Sequence, residues 1–169
     1  MAAAYGIKTG PKCVAYRNTA VSTPYASPTW TAINNVRDAS VAIPWDLVEA
    51  SIRDTRVKLY HTTQIDFAVS LTVRCDDADA GYQALLAAAQ EGTTIDMMIL
   101  DGPVTTEGSA GVRSYFHVSM TGQPQGIGDV LYATFDLKPG FGLDGSAAPA
   151  KPKYAVAGAS SAMTYSDPG

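Results

Sequence analysis

Gly140, Gly142 and Gly145 spell G-x-G-x-x-G directly after a strand-like run, which is the spacing of a dinucleotide-binding turn. That turn must open a helix whose free N–H groups receive the pyrophosphate. Here Ser146-Ala-Ala-Pro149-Ala-Lys-Pro152 follows, and no βαβ unit surrounds it. The three glycines therefore belong to a Gly-rich tail. Asp76, Asp77 and Asp79 could bind a cation, yet acids just ahead of the apolar positions Tyr82, Leu85, Leu86 and Ala89 are what the start of a helix favours. His61 and His117 are the two histidines, and they fall on separate expected strands. Cys13 and Cys75 stand 62 positions apart, which matches no zinc spacing and no disulfide framework. Ser109 lies between Gly108 and Ala110 with no activating base nearby, and no nucleophile elbow, Walker loop, H-E-x-x-H or C-x-x-C is present. The expectation is no catalytic residue, no metal, no cofactor, and hence no enzyme.

The elements that would have to position such chemistry point elsewhere. Gly and Pro make up 25 of 169 residues and charged residues 17%, a composition of strands and turns rather than of helical bundles. The clearest strand runs from Asp66 to Cys75, with Phe67, Val69, Leu71, Val73 and Cys75 on one face and Ala68, Ser70, Thr72 and Arg74 on the other. Two longer strands alternate likewise: Val112, Ser114, Phe116, Val118 and Met120 against Arg113, Tyr115, His117, Ser119 and Thr121, then Leu131, Ala133, Phe135 and Leu137 against Val130, Tyr132, Thr134 and Asp136. Ala39, Val41 and Ile43 mark an earlier strand, and Ile95, Met97 and Ile99 another. One helix is expected at about 77–91, ended by Gly92. The charged stretch from Ser51 to His61, after Pro44 and Trp45, reads as an exposed hairpin or long loop.

The ends have a different texture. Residues 1–28 are rich in small residues, with one short strand-like run from Lys12 to Arg17, and residues 140–169 are Gly, Ala, Pro and Ser with scattered apolar handles. The expected organisation is an N-terminal arm at 1–28, a β domain at 29–139 and a C-terminal arm at 140–169 whose removal leaves that domain folded. The fold class is mainly β: a β-sandwich or barrel of about seven or eight strands, with one flanking α-helix and extended N- and C-terminal arms.

Charge excludes a general nucleic-acid binder. The net charge is −4, and residues 36–138 carry 14 acids against 7 bases, whereas residues 1–35 carry Lys8, Lys12 and Arg17 with no acid. No stretch approaches the ~20 apolar residues of a membrane helix, and Met1-Ala-Ala-Ala-Tyr-Gly does not read as a signal peptide, so folding in the producing cell's cytoplasm is expected.

In order, Trp30-Thr-Ala-Ile-Asn-Asn-Val-Arg-Asp-Ala-Ser-Val41, the charged Ser51-Ile-Arg-Asp-Thr-Arg56, the strand Phe67 to Cys75, the acidic helix start with Tyr82-Gln-Ala-Leu-Leu86, the strand Ile95 to Leu100 and the closing Ala133-Thr-Phe-Asp-Leu-Lys-Pro139 resemble the tail tube proteins of long-tailed bacteriophages. The resemblance spans roughly residues 28–139, and the order of elements carries it. It implies a fold shared with contractile tails and secretion-system tubes, six copies per ring, and rings stacked into a conduit for DNA. It implies further a place in the virion tail, synthesis in the host bacterial cytoplasm, and contacts with tape measure, tail terminator and baseplate or tip proteins. DNA would pass without specific binding. Trp45, Asp46, Leu47, Glu49, Ile52, Arg53 and Asp54 are then candidates for a ring-stacking loop, and Ser70, Thr72, Tyr132, Thr134 and Asp136 for the lumen wall. Tyr5, Phe141, Tyr154 and Tyr165 are candidate arm contacts. The competing reading is a monomeric carbohydrate- or ligand-binding β-sandwich module that displays Trp45 or Trp30.

Overall fold

The structure is a computed structural model, and it describes residues 13–20, 27–43, 45–49, 58, 60–65, 67–123, 130–142, 152–158 and 162–167. The strands are β1 (Val14–Asn18), β2 (Trp30–Ala32), β3 (Val36–Ala42), β4 (Trp45–Glu49), β5 (Tyr60–Ile65), β6 (Ala68–Arg74), β7 (Thr94–Leu100), β8 (Ala110–Gly122), β9 (Tyr132–Pro139), β10 (Lys153–Ala157) and β11 (Met163–Ser166). Among the described residues one helix, α1 (Ala80–Glu91), lies between β6 and β7. The fold is mainly β, as the sequence implies. The described residues form eleven strands where about seven or eight are expected, chiefly because stretches read as arms contribute strands.

Nine strands form one antiparallel sheet with the order β2-β1-β7-β8-β9-β6-β3, and β10 pairs with β8 and with β11. β1 sits inside the sheet between β2 and β7, and β10 seals the first residues of β8. Their short side chains explain how they were read: Ala15, Ala155 and Ala157 are fully buried, but alanine gives little amphipathic signal. A turn at 33–35 joins β2 at one end of the sheet order to β3 at the other, so the sheet curls on itself. Asn35 holds a left-handed φ of 59° there, a conformation that Asn accepts more readily than most residues.

The inner face of the curled sheet and one side of α1 enclose the main core, which includes Phe67, Val69, Leu71, Val73, Tyr82, Leu85, Met97, Ile99, Phe116, Phe135 and Leu137. Each large apolar side chain buried here contributes about 1.5–3 kcal/mol. The alternation in β6 and β9 is the one read from the sequence: Val69, Leu71, Val73, Ala133, Phe135 and Leu137 are buried, while their neighbours are not. Asp79 caps α1 by accepting from the Gly81 amide at 2.8 Å, and Gly92 ends it at φ 67°. Tyr82 meets Phe135 edge-on, with ring centroids 6.3 Å apart.

Candidate functional site

The five candidate wall residues come together on the outer face of the sheet. Register aligns Ser40, Ser70, Asp136 and Ser119 across β3, β6, β9 and β8, and a second row aligns Asp38, Thr72 and Thr134. Cross-strand partners share a face, so these hydroxyls and carboxylates form one polar surface backed by the core. Thr72 and Thr134 are joined through their hydroxyls at 3.4 Å. Tyr132 lies opposite Arg74 on the same face, and the Arg37 guanidinium stands 5.0 Å over its ring. The described part of this face carries Asp38, Asp76 and Asp136 against Arg37, Arg74 and Lys138, so its acids are matched by bases rather than in excess. Arg74 donates to Asp76 at 2.9 Å, which together with the Ala78 amide holds the Asp76 carboxyl below the usual carboxylate range.

At the β1–β7–β8 end the same face is covered instead of open. Tyr16, Met98, Leu100 and Ala155 form a second buried cluster, flanked by Val14, Trp30, Val104, Met163 and Tyr165. Within this region Arg113, 1% exposed, donates from Nε and a terminal nitrogen to the two Asp96 oxygens at 3.1 and 2.7 Å. Asn18 adds a bond to Asp96 at 2.8 Å. The Trp30 and Tyr165 rings lie 4.9 and 4.8 Å from the Arg113 guanidinium carbon, and the Trp30 indole N–H donates to the Tyr165 hydroxyl at 3.0 Å. Burial raises the Tyr165 phenol pKa against the opposing pull of Trp30 and Arg113. One guanidinium thus ties β2, β7, β8 and β11 together.

Strict alternation put Arg113 on a solvent face, and the sequence reading missed this cluster. The available signal was a lone acid inside Thr94-Ile-Asp-Met-Met-Ile-Leu100 and a lone base inside Gly111-Val-Arg-Ser-Tyr-Phe116. Single opposite charges in apolar strands need partners when buried.

β4 and β5 pair as a separate two-stranded antiparallel sheet, and of the charged stretch 51–61 only residues 58, 60 and 61 are among the described residues. Leu47 and Val48, neighbours on opposite faces of β4, are 58% and 55% exposed, and Tyr60 is 55% exposed. Asp46 and Glu49 are exposed as well, with Glu49 paired to Lys58 at 3.2 Å. Trp45 is placed on the β4 backbone opposite Ile65. Ile52, Arg53, Asp54 and Tyr5 lie outside the described residues.

The remaining aromatic candidates divide. Phe141 is 66% exposed. Tyr154 meets Phe67 edge-on at 6.0 Å and packs on the main core, and Tyr165 is spent on Arg113 and Trp30, so both rings work within their own chain rather than as free handles. The Trp30 ring is likewise occupied by Arg113. The glycines after β9 acquire a packing role: the Gly140 amide bonds to the Tyr115 carbonyl at 2.7 Å, and a Cβ on Gly142 would stand 2.2 Å from the Tyr115 ring.

His117 is exposed on β8. Among the described residues no group of three His, Cys, Asp or Glu is placed to hold a metal ion, and no described helix is long and apolar enough to cross a membrane.

The fold, a curled antiparallel sheet with one described helix, is similar to that of chains in solved phage-type tail structures. No family model and no curated protein matches the sequence. Among solved structures, the chain is similar to one in the tail of an empty gene transfer agent particle, computed with helical refinement and C6 symmetry, at TM-score 0.60 and 9% identity over 80% of this chain and 96% of that one. It is similar to the SPP1 tail tube at TM-score 0.60 and 11% identity, over 78% and 75% of the two chains. A chain of the native gene transfer agent virion matches at TM-score 0.51 and 11% identity, over 95% and 99%. At these identities the likeness defines the fold.

Proposed function

We infer that the chain is a structural subunit of a phage-type tail tube, assembling with copies of itself into hexameric rings that stack around a channel for DNA. The observation that carries this reading is the open polar face of β3, β6, β9 and the second half of β8, borne on a tube-type fold. Strands that bury one face and leave a wide, hydroxyl-rich face uncovered suit the wall of a wet channel. Ser40, Ser70, Thr72, Ser119 and Thr134 offer hydrogen bonds without a surplus of cations, and a basic wall would hold phosphates and slow their passage. The β4–β5 hairpin supports the second half of the proposal. A two-stranded hairpin is marginal alone in water, and one exposing Leu47, Val48 and Tyr60 gains most from apolar cover by a neighbour. In this reading the hairpin contacts the adjacent ring, with Trp45, Asp46, Glu49, Ile52, Arg53 and Asp54 contributing, and Tyr5 and Phe141 serve neighbouring subunits. Tape measure, terminator and baseplate or tip proteins would meet the ends of the stack in the virion tail.

Light scattering on size-separated protein, with negative-stain microscopy of concentrated samples, tests the proposal. Rings or tubes support it. A monomer at every salt concentration and every protein concentration tried overturns it.

A further inference from the structure

β4 and β5 spring from the paired end of β3 and β6. Ala42 and Ala68 face each other there, and two residues lead from Ala42 to Trp45 and two from Ile65 to Ala68. Off that end β4 and β5 form their own small sheet, which among the described residues pairs with no strand of the main one. Side chains alternate along β4 and cross-strand partners share a face. Leu47, Glu49 and, opposite Glu49, Tyr60 therefore lie on one side, and Val48, in register with His61, lies on the other. Leu47 is 58% exposed, Tyr60 55% and Val48 55%, so the two faces are about equally bare. Glu49 on the first face is paired with Lys58 at 3.2 Å, so cover there strands no lone carboxylate.

A sheet resting on one surface buries one face. Docking on a single neighbour would bury Leu47 and Tyr60 and leave Val48 in water, or the reverse. Both faces are covered only between two opposed walls. At ~3.3 Å per residue, ~4.8 Å between strands and ~10 Å between packed layers, β4 with its partner occupies roughly 1,700 Å³. The apolar groove beside Tyr154 and Val156 holds about 590 Å³, enough for side chains from one face but not for the whole two-stranded sheet. A seam between two copies supplies two walls whatever the depth of either surface. A closed ring joined by one repeated contact has as many seams as subunits, which gives one seam to each β4–β5 sheet.

We propose that each β4–β5 sheet is clamped in the seam between two neighbouring copies of the chain, Leu47 and Tyr60 against one copy and Val48 against the other. This rests on the tube reading and adds to it. A sheet gripped by two copies fastens those copies to each other as well as to the ring it comes from, so stacking reinforces ring closure.

The test uses the full-length chain, with wild type assembled in parallel. A tagged chain in which Leu47 and Val48 are both replaced by a photo-crosslinking phenylalanine derivative is diluted into a large excess of wild type before assembly. After illumination the tag is expected in a three-chain product, and each single replacement is expected to give two-chain products only. Crosslinking at both single positions with no three-chain product from the double replacement overturns the proposal. Leu47→Asp alone and Val48→Asp alone are each expected to lower sedimentable protein about tenfold or more, with the monomer's circular dichroism spectrum unchanged. If either variant assembles within about twofold of wild type, the sheet docks by one face and the clamp is refuted. If wild type itself forms no ring or tube, the tube reading fails and the clamp falls with it.

Discussion

Replacing Arg113 by Met removes a charge that is almost wholly buried and leaves its partner stranded. Asp96, whose side chain is 4% exposed, would lose bonds of 3.1 and 2.7 Å and keep the Asn18 amide. Trp30 and Tyr165 would lose the cation 4.9 and 4.8 Å from their ring centres. Breaking a buried pair from one side costs about 3–5 kcal/mol, and the two ring contacts place Arg113→Met in the upper half of that range. With a urea slope of about 2 kcal/mol per molar, a loss of ~4 kcal/mol lowers the unfolding midpoint by about 2 M. The double variant Arg113→Met, Asp96→Leu removes both charges, and replacing a buried pair by apolar residues is often neutral, so it is expected to recover more than half of the loss. Urea unfolding followed by tryptophan fluorescence, on unassembled protein, provides the comparison. A single-variant loss below ~1 kcal/mol, or a double variant no better than the single, refutes the view that this pair pins β11 and β2 to the sheet.

Four further outcomes can be checked. Gly142→Ala should displace residues 140–142 from Tyr115, costing about 1–3 kcal/mol and speeding amide exchange at Gly140. Truncation after residue 142 removes β10 and β11, exposes the core beneath Ala155 and Ala157, and should abolish cooperative thermal unfolding, contrary to what an unstructured tail would give. Asp76 has a lowered carboxyl pKa through its bonds from Arg74 and the Ala78 amide. Its stabilising effect is present above the ordinary Asp value of ~3.9 and fades as pH falls through its folded-state value; a carbon-detected titration showing a midpoint at or above ~3.9 would contradict this. Leu47→Asp with Val48→Asp, on the exposed hairpin, should leave the monomer's melting temperature within about 2 °C and reduce assembled protein at least tenfold by sedimentation.

How far the fold was legible follows from which residues alternate. β6 and β9 were readable because Val69, Leu71, Val73, Phe135 and Leu137 are large and buried on one side while Ser70, Thr72 and Asp136 are polar on the other. The helix was readable from Asp79, Tyr82, Leu85 and Gly92. β7 and the first half of β8 were half-readable, since Met98, Leu100 and Arg113 are buried on the face where alternation expects water. A second apolar layer contributed by distant strands leaves no local period. β10 was hidden for a related reason, as its buried positions Ala155 and Ala157 are alanines in a stretch rich in small residues, whereas β1 was legible as the strand-like run from Lys12 to Arg17 but not as a member of the sheet. Of the candidate site, the polar wall was legible as a face, while its neighbours across the sheet depend on register, which places Ser40 and Ser119 beside Ser70 and Asp136.

Cryo-electron microscopy of the assembled protein tests the central claim most directly, because it reads symmetry and orientation together. The account predicts a six-fold tube in which Ser70, Thr72, Thr134 and Asp136 line the channel and the β4–β5 hairpin meets the next ring. A tube with that face on its outer surface, or a protein that forms no ring or tube at all, would contradict it.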